Sequence, residues 1–250
     1  MIKNFRFLDV PYFSPAQNMA LDEALMQNFT SKTTPIFRLY TWENNAFSIG
    51  RFQDLSKISN FDSFGKNFTR RITGGGLLLH GFDVSYSLII PSLRLANKSV
   101  KQGYEFLCSF LYTFYRKLGL EIDFAKDILS DKLASSVFCQ VGFEPYDIII
   151  QGKKIGGNAQ KRSKNFIYQH GSIPLHVDSR PFSGTSLEAL GIKLSVQEAK
   201  ELLKQAFQST FDIMLTPSEL TNKELAAFES LHVNKYTTKE WKYESISTKL

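Results

Sequence analysis

Arg70-Arg71-Ile72-Thr73-Gly74-Gly75-Gly76-Leu77-Leu78-Leu79-His80-Gly81-Phe82-Asp83-Val84-Ser85-Tyr86-Ser87 is the stretch that decides the reading of this 250-residue chain. Glycine has no Cβ, so three in succession let backbone come close to a ligand and present N–H groups to it. Runs of such N–H groups form concave surfaces that bind anions or oxyanions. Arg70 and Arg71 stand directly before that surface. A phosphate loop of the nucleoside-triphosphatase type needs Lys-Ser/Thr and a helix after its glycines. Here a strand-like leucine run follows instead. A bare triple glycine reads as a turn between two core strands, so the residues around it carry the functional reading.

Composition bounds the rest. The length suits one large domain, and 22 phenylalanines give ample core. The formal charge of +6 is spread along the chain without a basic stripe, so no nucleic-acid partner is expected. A mildly basic surface suits acidic protein partners. The two cysteines, Cys108 and Cys139, are too few for a disulfide framework in a chain of this size and read as reduced thiols of a cytoplasmic protein. No segment approaches the roughly 20 apolar residues needed to span a bilayer, and the N-terminus lacks the apolar run of a signal peptide.

Along the chain, Phe5 to Val10 reads as a strand. Ser14-Pro15-Ala16-Gln17 is a capping box opening a helix whose apolar face carries Ala20, Leu21, Ala24, Leu25 and Phe29. Pro35 to Trp42 and Ala46 to Phe52 read as strands, as does Val84 to Ile90. Ser99 caps a helix to about Leu118, with Val100, Tyr104, Leu107, Leu111, Phe114 and Leu118 on one stripe and Cys108 beside it as a buried thiol. Tyr146 to Gln151, Lys154 to Arg162 and Phe166 to Leu175 read as a meander turning at Gly152-Lys153 and Ser163-Lys164-Asn165. Ser195 to Glu198 and Thr216 to Glu219 read as capping boxes of two further helices. Strands and helices do not alternate regularly, which favours α+β.

The opening stretch resembles the signature of the lipoate/octanoate branch of the biotin and lipoate protein ligase superfamily, with Arg70, Arg71, Thr73, Gly74, Gly75, His80, Asp83, Tyr86 and Ser87 in register. Asn18 to Ala24 resembles the family's N-terminal helix. Ser48-Ile49-Gly50-Arg51-Phe52-Gln53 looks like its S-x-G-x-x-Q, in which Gly50 and Gln53 line the acyl pocket or simply end a hairpin. Gly152 to Arg162 is similar to its second motif, and Tyr168-Gln169-His170-Gly171-Ser172-Ile173 to its Q-H-G segment. The resemblance covers essentially the whole chain. It implies a class II aminoacyl-tRNA synthetase/biotin ligase-like catalytic domain over residues 1–250, a mixed sheet flanked by helices, without a sizeable accessory domain after Trp241.

The same resemblance implies the site. Arg70, Arg71, Gly74, Gly75, Gly76, His80, Gly156, Gly157, Asn158, Ala159, His170 and Gly171 would bind substrate, and Lys154 takes the place of the catalytic lysine. A buried ammonium stabilises developing negative charge; a lone hairpin lysine is otherwise a solvated charge. His80 and His170 either shape the site or are packed, hydrogen-bonded histidines. Octanoyltransferases of the Gram-positive type resemble the ligases and carry a nucleophilic cysteine where Cys139 stands, although Gln140 follows it in place of the usual Phe. ATP-dependent lipoate ligases tend to have an Arg-Asn-Asp loop there, which this chain lacks. The plainer reading of Cys139 is a semi-buried loop thiol.

The implied reaction moves an octanoyl group from acyl carrier protein through a Cys139 thioester onto a lysine of a lipoyl domain. Lys154 would lower the thiol pKa or hold the acyl oxygen. Cys139 and Lys154 are then expected to face one elongated apolar pocket. Lipoyl-domain acceptors of the family include the glycine cleavage H protein and the E2 subunits of 2-oxoacid dehydrogenases. No cofactor, metal or membrane is implied. ATP and Mg enter only under the alternative, a lipoate–protein ligase working through an acyl-adenylate. A variant moves octanoyl or lipoyl groups between lipoyl-domain proteins. A non-catalytic binding protein and a biotin ligase are further alternatives.

Overall fold

The chain enters as β1 (Asn4–Asp9), and Ser14 then starts α1 (Pro15–Gln27) through both arms of a capping box with Gln17. This computed structural model describes residues 3–10, 13–128, 145–180 and 184–244. α1 is enclosed on nearly every side: Met19, Ala20, Leu21, Ala24 and Leu25 are buried, and so are the polar Asn18 and Asp22. β2 (Ile36–Tyr40) and β3 (Phe47–Ile49) follow, the latter ending one residue before Gly50 rather than at Phe52. Next come β4 (Phe68–Arg70), β5 (Leu78–Leu79) and β6 (Asp83–Pro91). The glycine stretch therefore bridges two strands of one small sheet.

α2 (Val100–Lys117) buries Leu107, Phe110, Leu111, Phe114 and Tyr115, while Val100 in its first turn stays exposed. β7 (Asp123–Phe124) and the short α3 (Ala125–Ile128) precede β8 (Ile148–Ile150), β9 (Lys153–Lys154), β10 (Gly157–Arg162) and β11 (Phe166–Pro174). The strand predicted over Lys154 to Arg162 is thus broken. Gly156 sits at φ +67°, and a Cβ there would stand 2.0 Å from the Ser172 carbonyl oxygen, so the backbone turns out of one sheet into another. The preceding turn is centred on Gln151 and Gly152, both at positive φ, one residue earlier than expected.

α4 (Val196–Phe211) starts at the expected Ser195–Glu198 capping box. The capping box expected at Thr216–Glu219 is instead part of the edge strand β12 (Met214–Pro217), which pairs with β1 and tolerates Pro217 as edges do. The helix start lies five residues on, where Thr221 and Glu224 cap α5 (Asn222–Leu231). A π-helical turn (His232–Tyr236) and α6 (Lys239–Tyr243) follow.

Among the described residues, the strands form a six-stranded sheet in the order β10-β11-β6-β2-β1-β12 and two three-stranded sheets, β4-β3-β5 and β7-β8-β9. β1 runs parallel to β2 and β12, and the other large-sheet pairs are antiparallel. Apolar side chains of α2 and α4 cover one face of the large sheet, and those of α1 and α5 the other. Arg6 of β1 grips Glu224 of α5 with paired contacts of 2.7 and 2.9 Å. No helix among the described residues is long and apolar enough to cross a membrane.

Candidate active site

Alternation along β6 turns Asp83, Ser85 and Ser87 to one face of the sheet and Val84, Tyr86 and Leu88 to the other. The small sheet and its glycine stretch sit over the first face. Between them lies a cleft lined by Tyr40, Trp42, Ser48, Arg71, Leu78, His80, Ser85, Gly157, Asn158, Ala159, His170 and Gly171.

Arg71 organises one wall. Its guanidinium donates to the Ser48 carbonyl and hydroxyl at 3.1 Å each, and to the Gly74 and Gly76 carbonyls at 3.0 and 2.8 Å. Holding those carbonyls turns the N–H groups of the same trans peptides away from the guanidinium. Gly75 packs against Gly50, where a Cβ would stand 1.8 Å from the Gly75 carbonyl oxygen. Gly50 is therefore required by close backbone approach. The Gln53 side chain accepts from the Gly50 N–H and is not among the cleft's lining residues.

From Arg71 a chain of hydrogen bonds runs inward. The Ser48 hydroxyl meets His80 Nε2 at 2.9 Å, and His80 Nδ1 meets Asp83 at 3.0 Å. Asp83 also accepts from the Ser85 and Ser172 hydroxyls at 2.9 and 2.6 Å. The His80 ring stacks on Trp42 at 3.8 Å, and Trp42 Nε1 donates to Ser85. Burial alone would raise the Asp83 carboxyl, but the charge and hydrogen bond of His80, then the Ser172 and Ser85 hydroxyls, hold it below its ordinary value. Burial outweighs Asp83 and pulls His80 below its usual range. His170, 2.7 Å from the Thr73 hydroxyl, is pushed well below by burial, then by Arg71 and His80. Near neutral pH the cleft thus holds a carboxylate, two uncharged imidazoles and a guanidinium. These groups can orient a carbonyl and stabilise an oxyanion in a nearly dry site.

The opposite wall comes from β10 and β11. Asn158 accepts from the Tyr86 hydroxyl at 2.8 Å, and its carbonyl accepts from Tyr104 at 3.0 Å, which fixes Gly157-Asn158-Ala159 beside His170 and Gly171. Gly156 makes the turn into this wall rather than lining it.

Gly74, Gly75 and Gly76 are also not among the cleft's lining residues, and two further expected members stand elsewhere. Arg70 is fully buried and donates to the carbonyls of Gly50, Arg51, Gln53 and Trp241, so its side chain braces the loop after β3 and α6 instead of facing the cleft. Adjacent strand residues point to opposite faces, so only one of the two arginines can reach the cleft. Lys154 lies across the Gly156 turn in the β7-β8-β9 sheet, buried in an ion pair with Asp147 at 2.5 Å, and does not line the described cleft. Cys139 lies outside the described residues. Cys108 is buried, accepts from Gln169 at 3.5 Å, and burial pushes its thiol up to about 12.

The cleft is also tighter than expected. Its volume is about 20 Å³, room for about one water. Organic ligands occupy pockets of roughly 300–1,000 Å³. The elongated apolar pocket anticipated for Cys139 and Lys154 involves a residue outside the described ones. Tyr40, Trp42, Ser48, Leu78 and Ser85 line the cleft without having been anticipated there. Ser48, Leu78 and Ser85 do fall inside the two motif stretches.

A family model for the lipoyl protein ligase A/B catalytic domain matches residues 14–208. Octanoyltransferases named LipM from Anoxybacillus flavithermus and Bacillus subtilis are each 32% identical to the chain. They match over 96% and 97% of it and over 98% and 99% of their own lengths. A crystal structure of lipoate-protein ligase A bound with ATP superposes with a TM-score of 0.80 at 24% identity, covering 95% of this chain and 98% of that one.

Proposed function

This chain belongs to the lipoyl protein ligase A/B catalytic-domain family, and we propose that within it the protein is an octanoyltransferase. One observation carries this reading: the likeness to octanoyltransferases runs end to end at 32% identity. The likeness to the ATP-bound ligase supports the fold alone.

In the proposed reaction the Cys139 thiolate attacks the thioester carbonyl of octanoyl acyl carrier protein. A new sulfur–carbon bond forms, and the carrier's thiol leaves with the proton. The ε-amine of a lipoyl-domain lysine then attacks the Cys139 thioester. An amide forms, and the released cysteine sulfur takes up the proton lost by the amine. Both steps pass through a tetrahedral oxyanion.

The fixed groups of the cleft support this reading. Arg71 fixes the glycine stretch against β3, and Asp83 fixes the His80 ring. Lys154 enters the reaction held by Asp147, so its ammonium is positioned by a carboxylate rather than being a mobile cation. Neither ATP nor a metal takes part.

The test is a comparison of donors. Octanoyl acyl carrier protein alone should octanoylate a lipoyl domain. Octanoate with ATP and Mg should not. Transfer from the free acid with ATP, and none from the thioester, would establish the ligase reading instead.

A further inference from the structure

β5 ends at Leu79 in a small sheet and β6 begins at Asp83 in the large one, so His80-Gly81-Phe82 is the corner where the chain crosses between them. The register of neither ladder reaches His80. Yet His80 carries the hydrogen-bond chain from Ser48 to Asp83. Other contacts tie the corner down. The His80 N–H donates to the Ala46 carbonyl at 2.8 Å, and the Phe82 carbonyl accepts from Leu175 and His176 at 3.0 and 3.2 Å.

The His80 carbonyl is held by Arg180, which follows β11 in the chain. Arg180 Nη2 donates to it at 2.5 Å, and Nη1 donates to the Ala46 carbonyl at 3.1 Å. One guanidinium therefore bridges His80 and the residue that leads into β3. Asp178 steadies that guanidinium. It accepts from Arg180 Nε at 2.9 Å, from Nη2, and from the Arg180 backbone N–H at 2.7 Å. The two residues are two apart, so the pair assembles within its own segment. Arg180 is not among the cleft's lining residues, and it reaches the cleft through the main chain of His80.

The ring of His80 is sensitive to such support. A carboxylate only accepts, so uncharged His80 carries its proton on Nδ1 toward Asp83 and leaves Nε2 to accept from the Ser48 hydroxyl. Arg71 donates to the same hydroxyl oxygen. Each bond runs in one direction, and a displaced His80 main chain would misalign them together. Burial first, then the Arg71 and Arg180 cations, disfavour the protonated ring.

We propose that Arg180, oriented by Asp178, is a positioning residue for the transfer reaction, holding the His80 main chain so that its ring meets Ser48 and Asp83 in register. This role rests on the transferase reading. It needs the planar fork of a guanidinium. An ammonium is a point charge on a flexible stem, able to keep the pair with Asp178 but not both carbonyls.

Arg180→Lys tests this, because it keeps a cation beside Asp178. Its kcat for octanoyl transfer should fall about tenfold or more, since a displacement of about 1 Å can cost about a hundredfold. KM for the octanoyl carrier should stay within about twofold. Adding Asp83→Asn should lower kcat by less than about threefold further, because both changes act on one ring. Amide exchange of the His80 N–H, followed in the folded chain without substrate, should speed up about tenfold or more, while that of Leu88 in β6 stays as it was. Native kcat in Arg180→Lys, losses that multiply in the double variant, a change confined to KM, or unchanged His80 exchange would each overturn this role alone. Failure of the native chain to transfer from the thioester would overturn the transferase reading and this role with it.

Discussion

Asp22 and Asp83 are both buried carboxylates, and each accepts from a serine on the same face of β6, Ser87 and Ser85. Their other partners differ. Asp22 faces a permanent cation: Arg38 donates to it at 2.7 Å, with Tyr168 at 2.7 Å on the other oxygen. Arg38 is held in turn by Asn18 and lies over the Tyr40 ring. That cluster is sealed between α1 and the sheet. Asp83 faces an imidazole instead, and its chain continues through Ser48 to Arg71 and ends in the cleft. A sealed pair with a fixed charge locks the fold. A titratable pair that opens onto a cavity sets the chemistry of that cavity.

The sharpest way to break this contrast is Arg38→Met. It leaves Asp22 buried without its cation and should cost about 3–5 kcal/mol, read from urea denaturation. The folded fraction should keep its turnover. A cost below about 1 kcal/mol would show that the Asp22 cluster is not a brace. Asp83→Asn should cost less, about 1–3 kcal/mol, yet turnover per folded molecule should fall at least tenfold. Unchanged turnover would place His80 and Asp83 with the structural clusters.

Acid titration separates the two clusters further. His80 and His170 sit below their ordinary value in the fold. The unfolded chain therefore binds protons that the fold rejects, and stability falls as the pH drops below about 6.5. Asp83 adds a second loss of the same sign at lower pH, as its depressed carboxyl protonates. His170→Gln should flatten the first phase, measured as denaturation midpoint against pH. Arg38→Met should leave that phase in place. The smallest expected effect is Tyr40→Phe. The Tyr40 hydroxyl reaches Asp22 only at 3.4 Å, alongside far shorter donors. Its loss should cost about 0.5 kcal/mol or less.

The same contrast explains what the sequence could reveal. Helix starts at Ser14, Ser99 and Ser195 were legible because a cap is a local device. The α5 start was misplaced because Thr216–Glu219 and Thr221–Glu224 carry the same local pattern, and pairing of β12 with β1 decided between them. Motif residues Arg71, His80, Gly157 and His170 do meet at one cleft. Arg70 and Lys154 do not line it, because strand alternation and the Gly156 turn redirect them, and no spacing rule encodes those. The Asp22–Arg38 pair went unread because its members lie 16 residues apart and only the fold joins them. Asn18 and Asp22, four apart on a helix otherwise apolar on that side, were the available signal.

The measurement closest to the central claim is the intact mass of the enzyme after mixing with octanoyl acyl carrier protein and no acceptor. The proposed mechanism predicts one octanoyl adduct, removed by hydroxylamine and absent in Cys139→Ser, which should also have lost transfer. No adduct on the native chain, together with undiminished transfer by Cys139→Ser, would contradict it.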